Sequence, residues 1–351
     1  MPELGFGQQR EVSASPIDPD GLIARTTGAV SQNGTKKTSG PGIAAIATEF
    51  PARVVENDEL ATPLGLDSEW ISSRTGVLRR HRATGETLVD LAAGAGSRAL
   101  ALADIDPSEI DLVLVATFTP DQLQPHAAPL VASRLGADPA GAMDIGAACT
   151  GFLSALSLAA AQLESGRARA ALVVGAEVLS RVIDYGDRRT AGLFGDGAGA
   201  AVVTPGGPGL IGPVALRSDG GRGDLIQATH DERLIRMDGR ATFRAAVAAM
   251  TDVTQEVVSD AGLTLEEIDL FVYHQANSRI ISAVGERLDL PSDRVIDCLA
   301  DYGNTSAASI PIALAQAAGN GSLRKGSRVL LSAFGAGLAW GAGIVEWEGR
   351  A

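Results

Sequence analysis

Three residues of this 351-residue chain could do chemistry together. Cys149 closes the run Gly146-Ala147-Ala148-Cys149, at the head of an apolar helical stretch. His274 ends the run Phe271-Val272-Tyr273-His274, and Asn304 sits in Gly303-Asn304-Thr305-Ser306. A cysteine thiolate can take an acyl group from a thioester. Uncharged imidazole and carboxamide donors stabilise negative charge where it develops, which suits the enolate formed when a second thioester loses carbon dioxide. An acid at position 304 would instead make His274 a stronger base for transfer to an alcohol. Asn cannot do that, so the trio favours decarboxylative condensation.

Each of the three needs an element to hold it. Phe152, Leu153, Leu156, Ala159, Ala160 and Leu163 recur at helical spacing until Gly166. Cys149 therefore stands at a helix N-terminus, where free N–H groups and the dipole favour a thiolate. Cys298 has no such helix start and is assigned to packing. A strand delivers His274, and Asn277 starts a helix at Ser278-Arg279-Ile280-Ile281. His81, His126 and His230 have no second polar motif beside them. His81, among Arg79, Arg80 and Arg82, is expected in solvent, and His230 lies in a charged loop.

The supporting elements repeat. Ser108 to Val115 resembles Glu266 to Tyr273 at an offset of 158 residues, the separation of Asp111 and Asp269. The same offset carries Leu156 onto Leu314, Ala159 onto Ala317, and Leu172-Val173 onto Leu330-Leu331. Continuous apolar strands alternating with helices predict largely parallel sheet covered on both faces. Two such halves back to back give a five-layered α/β/α/β/α body, with residues 42–207 as the first half and 208–351 as the second. His274 falls on Ala116 and Asn304 on Gly146, just before Cys149. A pseudo-two-fold axis would thus gather the trio between the halves. Residues 1–41 are rich in Gly, Ser, Thr, Pro and Gln without periodicity and are expected to be disordered.

Composition narrows the class. A net charge of −13 argues against a nucleic-acid partner, although an acidic body can carry a local basic patch. Two cysteines in a chain of this length are no disulfide scaffold, and no apolar run approaches membrane-span length. A cytoplasmic protein is expected. Gly195-Asp196-Gly197-Ala198-Gly199 leads into Ala200-Ala201-Val202-Val203, a strand rather than a helix, so it is not a dinucleotide fingerprint.

From residue 43 onward these motifs together resemble the β-ketoacyl-[acyl-carrier-protein] synthase III family of thiolase-fold condensing enzymes. The resemblance implies a homodimer that loads Cys149 from an acyl-coenzyme A and then accepts malonyl-acyl carrier protein, with no metal or redox cofactor. It implies an oxyanion hole from the backbone N–H groups of Cys149 and Ala336, in Phe334-Gly335-Ala336-Gly337. In Glu69-Trp70-Ile71-Ser72-Ser73-Arg74-Thr75-Gly76, Trp70 would stack on adenine and Arg74 would reach the nucleotide, with Arg188 as the opposite wall. Asn277 would touch the pantetheine arm. Gln124 (across the dimer interface), Thr150, Phe194 and Phe243 would shape the acyl pocket, and Arg244 and Arg279 would dock the carrier. Gln124 and Thr150 depart from the usual residues, and the stretch from Ser218 to Met237 is shorter than the family's lid, which would open the site. These departures make chain initiation or coupling in a polyketide pathway as plausible as fatty-acid initiation. Two other readings stay open: an acyltransferase of the same fold acting on a hydroxyl or amine, and a non-catalytic partner subunit.

Overall fold

The structure, a computed structural model, describes residues 40–349. The expected disordered extension lies outside this range except at its end, where Pro41 already begins a strand. Pro41, Gly42 and Ile43 pair with Pro205, Thr204 and Val203, so ordered backbone starts two residues before Ile43. Proline at a strand's first residue loses no ladder bond it needs.

The first half runs β1 (Pro41–Glu49), β2 (Val54–Glu56), α1 (Asn57–Ala61), α2 (Ser68–Thr75), β3 (Arg79–His81), α3 (Leu88–Ala103), β4 (Leu112–Ala116), α4 (Ala127–Leu135), β5 (Gly141–Ile145), α5 (Gly151–Glu164), β6 (Ala171–Glu177) and β7 (Gly197–Pro205). The second runs β8 (Gly209–Ser218), β9 (Ile226–Gln227), β10 (Arg236–Met237), α6 (Gly239–Asp260), β11 (Leu270–Tyr273), α7 (Ser278–Arg287), α8 (Leu299–Tyr302), α9 (Ser309–Gly319), β12 (Ser327–Gly335) and β13 (Ala339–Trp347). β4 and β6 are buried along their whole length and pair in parallel, as the unbroken apolar runs require. α3 and α4 cover the outer face of the first half's strands, and α6 and α7 cover the second's. α5 and α9 pack on each other and on strands of both halves. This is the five-layered thiolase arrangement.

The strands are hydrogen-bonded in the order β11-β12-β13-β8-β1-β7-β6-β4-β5. The halves are linked by a short ladder, Gly42 opposite Leu210 and Ile43 opposite Gly209. Backbone bonds from Leu78 to Ala300 and between Asn304 and Leu193 and Gly195 also cross between them, and the side chains of the central layer pack them together. Phe152, Leu153 and Leu156 of α5 meet Ile310, Ile312 and Leu314 of α9 in one buried cluster. Among the described residues no helix is long and apolar enough to cross a membrane.

The 158-residue offset holds at the level of single turns. The 3-10 turn Pro107–Glu109 recurs as Leu265–Glu267, and Ala148–Thr150 recurs as Ser306–Ala308. Helix α5 begins at Gly151 and α9 at Ser309. The register is lost at β7 and β13, because the first half's long connection 178–196 has only 336–338 as its counterpart.

One expectation fails near the edge. Strand alternation turns Arg79 outward but Arg80 inward, where its guanidinium donates to the Val55 and Gly192 carbonyls and to Asn57. His81 is not solvated either: it stacks on Phe50 at 4.8 Å between centroids, and its Nδ1 lies 2.7 Å from the Pro51 carbonyl.

Leu156 is 1% exposed in the central layer, whereas Leu102 is 69% exposed on α3. Leu156→Ala should lower the unfolding free energy by about 2–5 kcal/mol. Leu102→Ala should change it by less than about 0.5 kcal/mol. Denaturant midpoints at constant m-value test both.

Candidate active site

Cys149 is presented by a backbone turn that few residues adopt. Ala148 has φ 43° and its repeat partner Ser306 has φ 49°, both left-handed. Such a residue without glycine costs on the order of 1–2 kcal/mol, so it persists only where its surroundings enforce it. Here the two turns pack against each other between the halves. Strand β12 adds a third constraint: a Cβ at Gly335 would stand 2.8 Å from Cys149 Cβ and 3.2 Å from Sγ. Only the absence of a side chain lets the strand end lie against the thiol.

Cys149, His274 and Asn304 line one cavity of about 630 Å³. His274 follows β11, and its backbone N–H donates to the Ser332 carbonyl at 2.7 Å. Its imidazole is buried, Nδ1 has no partner among the described residues, and burial pushes its pKa down to about 3. The ring is therefore neutral at ordinary pH, with no carboxylate to make it a stronger base. Asn304 Oδ1 accepts the Ser306 N–H at 2.9 Å, which leaves the amide's donor end for the cavity and for the Ala276 carbonyl at 3.4 Å.

The thiol's surroundings oppose the lowering expected at a helix start. Burial pushes Cys149 up to about 11, with the Ser306 hydroxyl offsetting part of the rise and the Glu177 carboxylate adding to it. Ser306 Oγ lies 3.5 Å from Sγ. The resting group is a thiol, and something must remove its proton when a thioester arrives.

Most of the residues named from the sequence meet here. Trp70, Arg74, Arg188, Asn277, Phe194, Phe243, Arg244 and Arg279 all line the same cavity as the trio. Arg74 lies over the Trp70 indole, 4.4 Å from its centroid, and Arg188 lies 5.8 Å from it. Asn277 caps α7 through the Arg279 N–H and donates to the Arg74 carbonyl at 3.0 Å; Arg279 donates to the Ser73 carbonyl at 2.8 Å. These bonds tie α2 to α7 across the mouth.

Three named residues are not on the cavity wall. The Thr150 hydroxyl turns back to the Ala147 carbonyl at 2.7 Å, closing its own turn, and the residue is buried. Gln124 is exposed and lies 3.0 Å from the His126 ring, away from the cavity of its own chain. Ala336 gives way to its neighbours Phe334 and Gly335 as lining residues, although its N–H belongs to the peptide that follows Gly335. The short segment after β8 does not leave the site bare: Ile226 and Met237, paired across β9 and β10, form part of the wall. Arg240, Ser306 and Glu177 were missed. Glu177 had one signal, an acid closing the otherwise apolar run Ala171 to Ala176, and Ser306 had another, its repeat match to Ala148.

Comparison with known proteins points one way. The family model described as 3-oxoacyl-[acyl-carrier-protein (ACP)] synthase III matches residues 143–220, and its C-terminal companion matches residues 258–347. The chain is similar to β-ketoacyl-[acyl-carrier-protein] synthase III 2 of Streptomyces coelicolor, 45% identical over 89% of this chain and 95% of that protein. A synthase III of Thermosynechococcus vestitus is 43% identical over 89% of this chain and 98% of its own. Among solved structures, 3-oxoacyl-[acyl-carrier-protein] synthase III from Aquifex aeolicus superposes with a TM-score of 0.86 at 41% identity, covering 88% of this chain and 100% of that one. The priming β-ketosynthase of a polyketide biosynthetic pathway gives 0.85 at 38% identity, covering 92% and 100%.

Two outcomes follow from this geometry. His274 binds its proton far more weakly folded than at the ordinary value of 6.5, so the stability linked to it is whole above that pH and is lost as pH falls toward about 3. Between pH 7.5 and 4.5, His274→Asn should therefore lose about 2 kcal/mol less unfolding free energy than the wild type, as read by urea titration at both pH values. Gly335→Ala should push the thiol out of place, slowing Cys149 acylation by about 100-fold while lowering stability by only about 1–3 kcal/mol. Rapid-quench acylation and thermal unfolding read the two effects separately.

Proposed function

Because this chain belongs to the 3-oxoacyl-[acyl-carrier-protein] synthase III family, we propose that its cavity runs the two half-reactions of that family on the residues described above. The protein is a condensing enzyme that joins an acyl primer to a malonyl thioester and releases carbon dioxide, giving a β-ketoacyl thioester. The observation that carries the assignment of roles is the pairing of one thiol with two uncharged donors in a single buried cavity whose outer wall is aromatic and basic.

In the first half-reaction the Cys149 sulfur attacks the primer carbonyl. The backbone N–H groups of Cys149 and Ala336 receive the oxyanion, and the primer's carrier leaves as a thiol. In the second, the malonyl thioester carbonyl sits between His274 and Asn304. Both donate hydrogen bonds without changing charge, so they hold the enolate as carbon dioxide departs. The enolate carbon then attacks the acyl group on Cys149. Among the described residues His274 has no carboxylate behind it and Nδ1 has no partner, which disfavours the acyltransferase reading, where the ring must gain a proton. The reaction is thus acyl transfer with carbon–carbon bond formation.

The primer reaches Cys149 on coenzyme A. Arg74 and Arg188 supply charge for phosphate, and an adenine entering beside Trp70 would exchange a cation–π contact for stacking. The carrier protein, acidic in character, docks over Arg240, Arg244 and Arg279 at the mouth. The working unit is a homodimer. β5 stands at the end of the sheet with Met143 45% exposed, and Leu123 nearby in sequence is 71% exposed, an apolar edge of the kind a second copy covers. That pairing would also give Gln124 a cavity to face, the partner's. Both cysteines are free, in keeping with a cytoplasmic setting.

Intact-protein mass spectrometry after incubation with a panel of acyl-coenzyme A thioesters should show one adduct, absent in Cys149→Ala. A chase with malonyl-acyl carrier protein should remove it and yield a β-ketoacyl carrier. An adduct that persists through the chase would overturn the condensation reading for that primer class.

A further inference from the structure

The thiol at the centre of the site has no charged partner to receive its proton. His274 is neutral and uncharged groups surround it, yet one acid is buried beside it. Glu177 ends β6 with no exposure to solvent. Its Oε2 accepts from the hydroxyls of Thr119 at 2.5 Å and Thr117 at 3.1 Å, and from the Phe118 N–H at 3.3 Å. Its Oε1 is buried with no hydrogen-bond partner among the described residues. A carboxylate oxygen left bare in a dry interior is expensive, and one that persists beside a nucleophile calls for a use.

Ser306 supplies the connection. Its hydroxyl lies 3.5 Å from Cys149 Sγ, and it offsets part of the rise that burial causes in the pKa of both Cys149 and Glu177. The left-handed turn at Ser306 puts it there, and the Asn304 side chain pins its backbone N–H. A hydroxyl is the one side-chain group here that can accept from a thiol while donating to a carboxylate, then reverse both bonds.

We propose that Ser306 relays the Cys149 proton to Oε1 of Glu177 as the primer thioester is attacked. This rests on the condensation reading for its substrate but not for its test. The Sγ–H proton passes to Ser306 Oγ while Ser306 gives its own to Glu177. The freed sulfur electron pair forms the new C–S bond at the primer carbonyl carbon, and the old C–S bond breaks. The departing thiolate, which shared that carbon, takes the proton back through Ser306 and restores the carboxylate. No net proton enters or leaves, and the site carries one negative charge throughout, first on the carboxylate, then on the oxyanion and the departing sulfur, which a buried site tolerates better than creating a second. Ser306 touches the reacting atom; Glu177 acts through it as a positioning residue. Around Glu177, β7 sets Gly197, the loop after β4 sets Thr117, Phe118 and Thr119, and the second turn sets Ser306, so among the described residues Cys149 is the titratable group facing it.

The test reads the thiol without any substrate of the enzyme. Iodoacetamide alkylation of Cys149 is followed from pH 5 to 10 in the full chain and in Glu177→Gln, with thermal unfolding alongside. Burial raises the Glu177 pKa to about 7, so the wild-type rate should climb through an inflection near that pH as the acceptor becomes available. In Glu177→Gln the inflection should vanish and the neutral-pH rate fall by about ten-fold or more. Should Glu177→Gln fail to fold, Ser306→Ala, which leaves the threonine bonds to the carboxyl intact, should lose the same inflection. An unchanged profile in either folded variant, or a loss equal at every pH, would overturn the relay. If the inflection is lost as expected but no thioester labels Cys149 in the wild type, the relay stands and the condensation reading falls.

Discussion

Everything in this molecule hangs on two left-handed turns pressed together at its centre. Ala148 bends the chain from the end of β5 into α5, Ser306 bends it from the segment after α8 into α9, and neither is a glycine. Their strain is tolerable because each turn is walled in by the other half. A Cβ at Gly175, on β6, would stand 2.2 Å from the Ala307 carbonyl, just as one at Gly335, on β12, would strike Cys149. The two contacts are the same packing solution reached twice. Loosen either, and both the helix starts and the side chains they aim lose their reference point.

The symmetry of the scaffold is broken by what each half hangs on it. The second half's turn carries Ala307 where the first carries Cys149, so only one turn has a nucleophile. The first half offers Ala116 and Gly146 where the second offers His274 and Asn304. Matching strand ends carry Glu177 and Gly335, an acid and a vacancy, on either side of the thiol. One cavity thus collects a thiol and two neutral donors, with a hidden carboxylate outside its wall near the thiol, while the basic and aromatic groups stay at its mouth. Charge is handled at the rim by solvated arginines and in the interior by hydrogen bonds that need not change sign.

The sequence disclosed the architecture because the repeat preserved the lengths between strand, turn and helix; a constant offset is visible without any knowledge of packing. It disclosed the trio because each member closes an element. It did not disclose the β1–β8 link, since two residues of backbone pairing leave no side-chain pattern. The close approach of Gly335 to Cys149 is not legible in the sequence, because a glycine needed for close approach reads no differently from one needed for a turn. Thr150 was placed by its neighbourhood, yet its hydroxyl had a nearer partner in its own turn. Among its arginine neighbours His81 reads as solvated, whereas a three-residue strand, too short to show alternation, sends Arg80 inward and lays His81 on an aromatic ring. Glu177 ends an otherwise apolar buried strand, and the role proposed for it depends on Ser306, which lies far along the chain.

The central layer also bears on how such a chain comes to exist in a cell. Helix α5 is complete in sequence before α9 has been synthesised, yet the two share one apolar cluster. Until the later segment arrives, the earlier half must carry a sticky inner face through translation, held off from aggregation by kinetics or by chaperones. Catalytic competence therefore comes last in the life of the polypeptide: Cys149 gains its companions only once the later half has been made and packed on the earlier one.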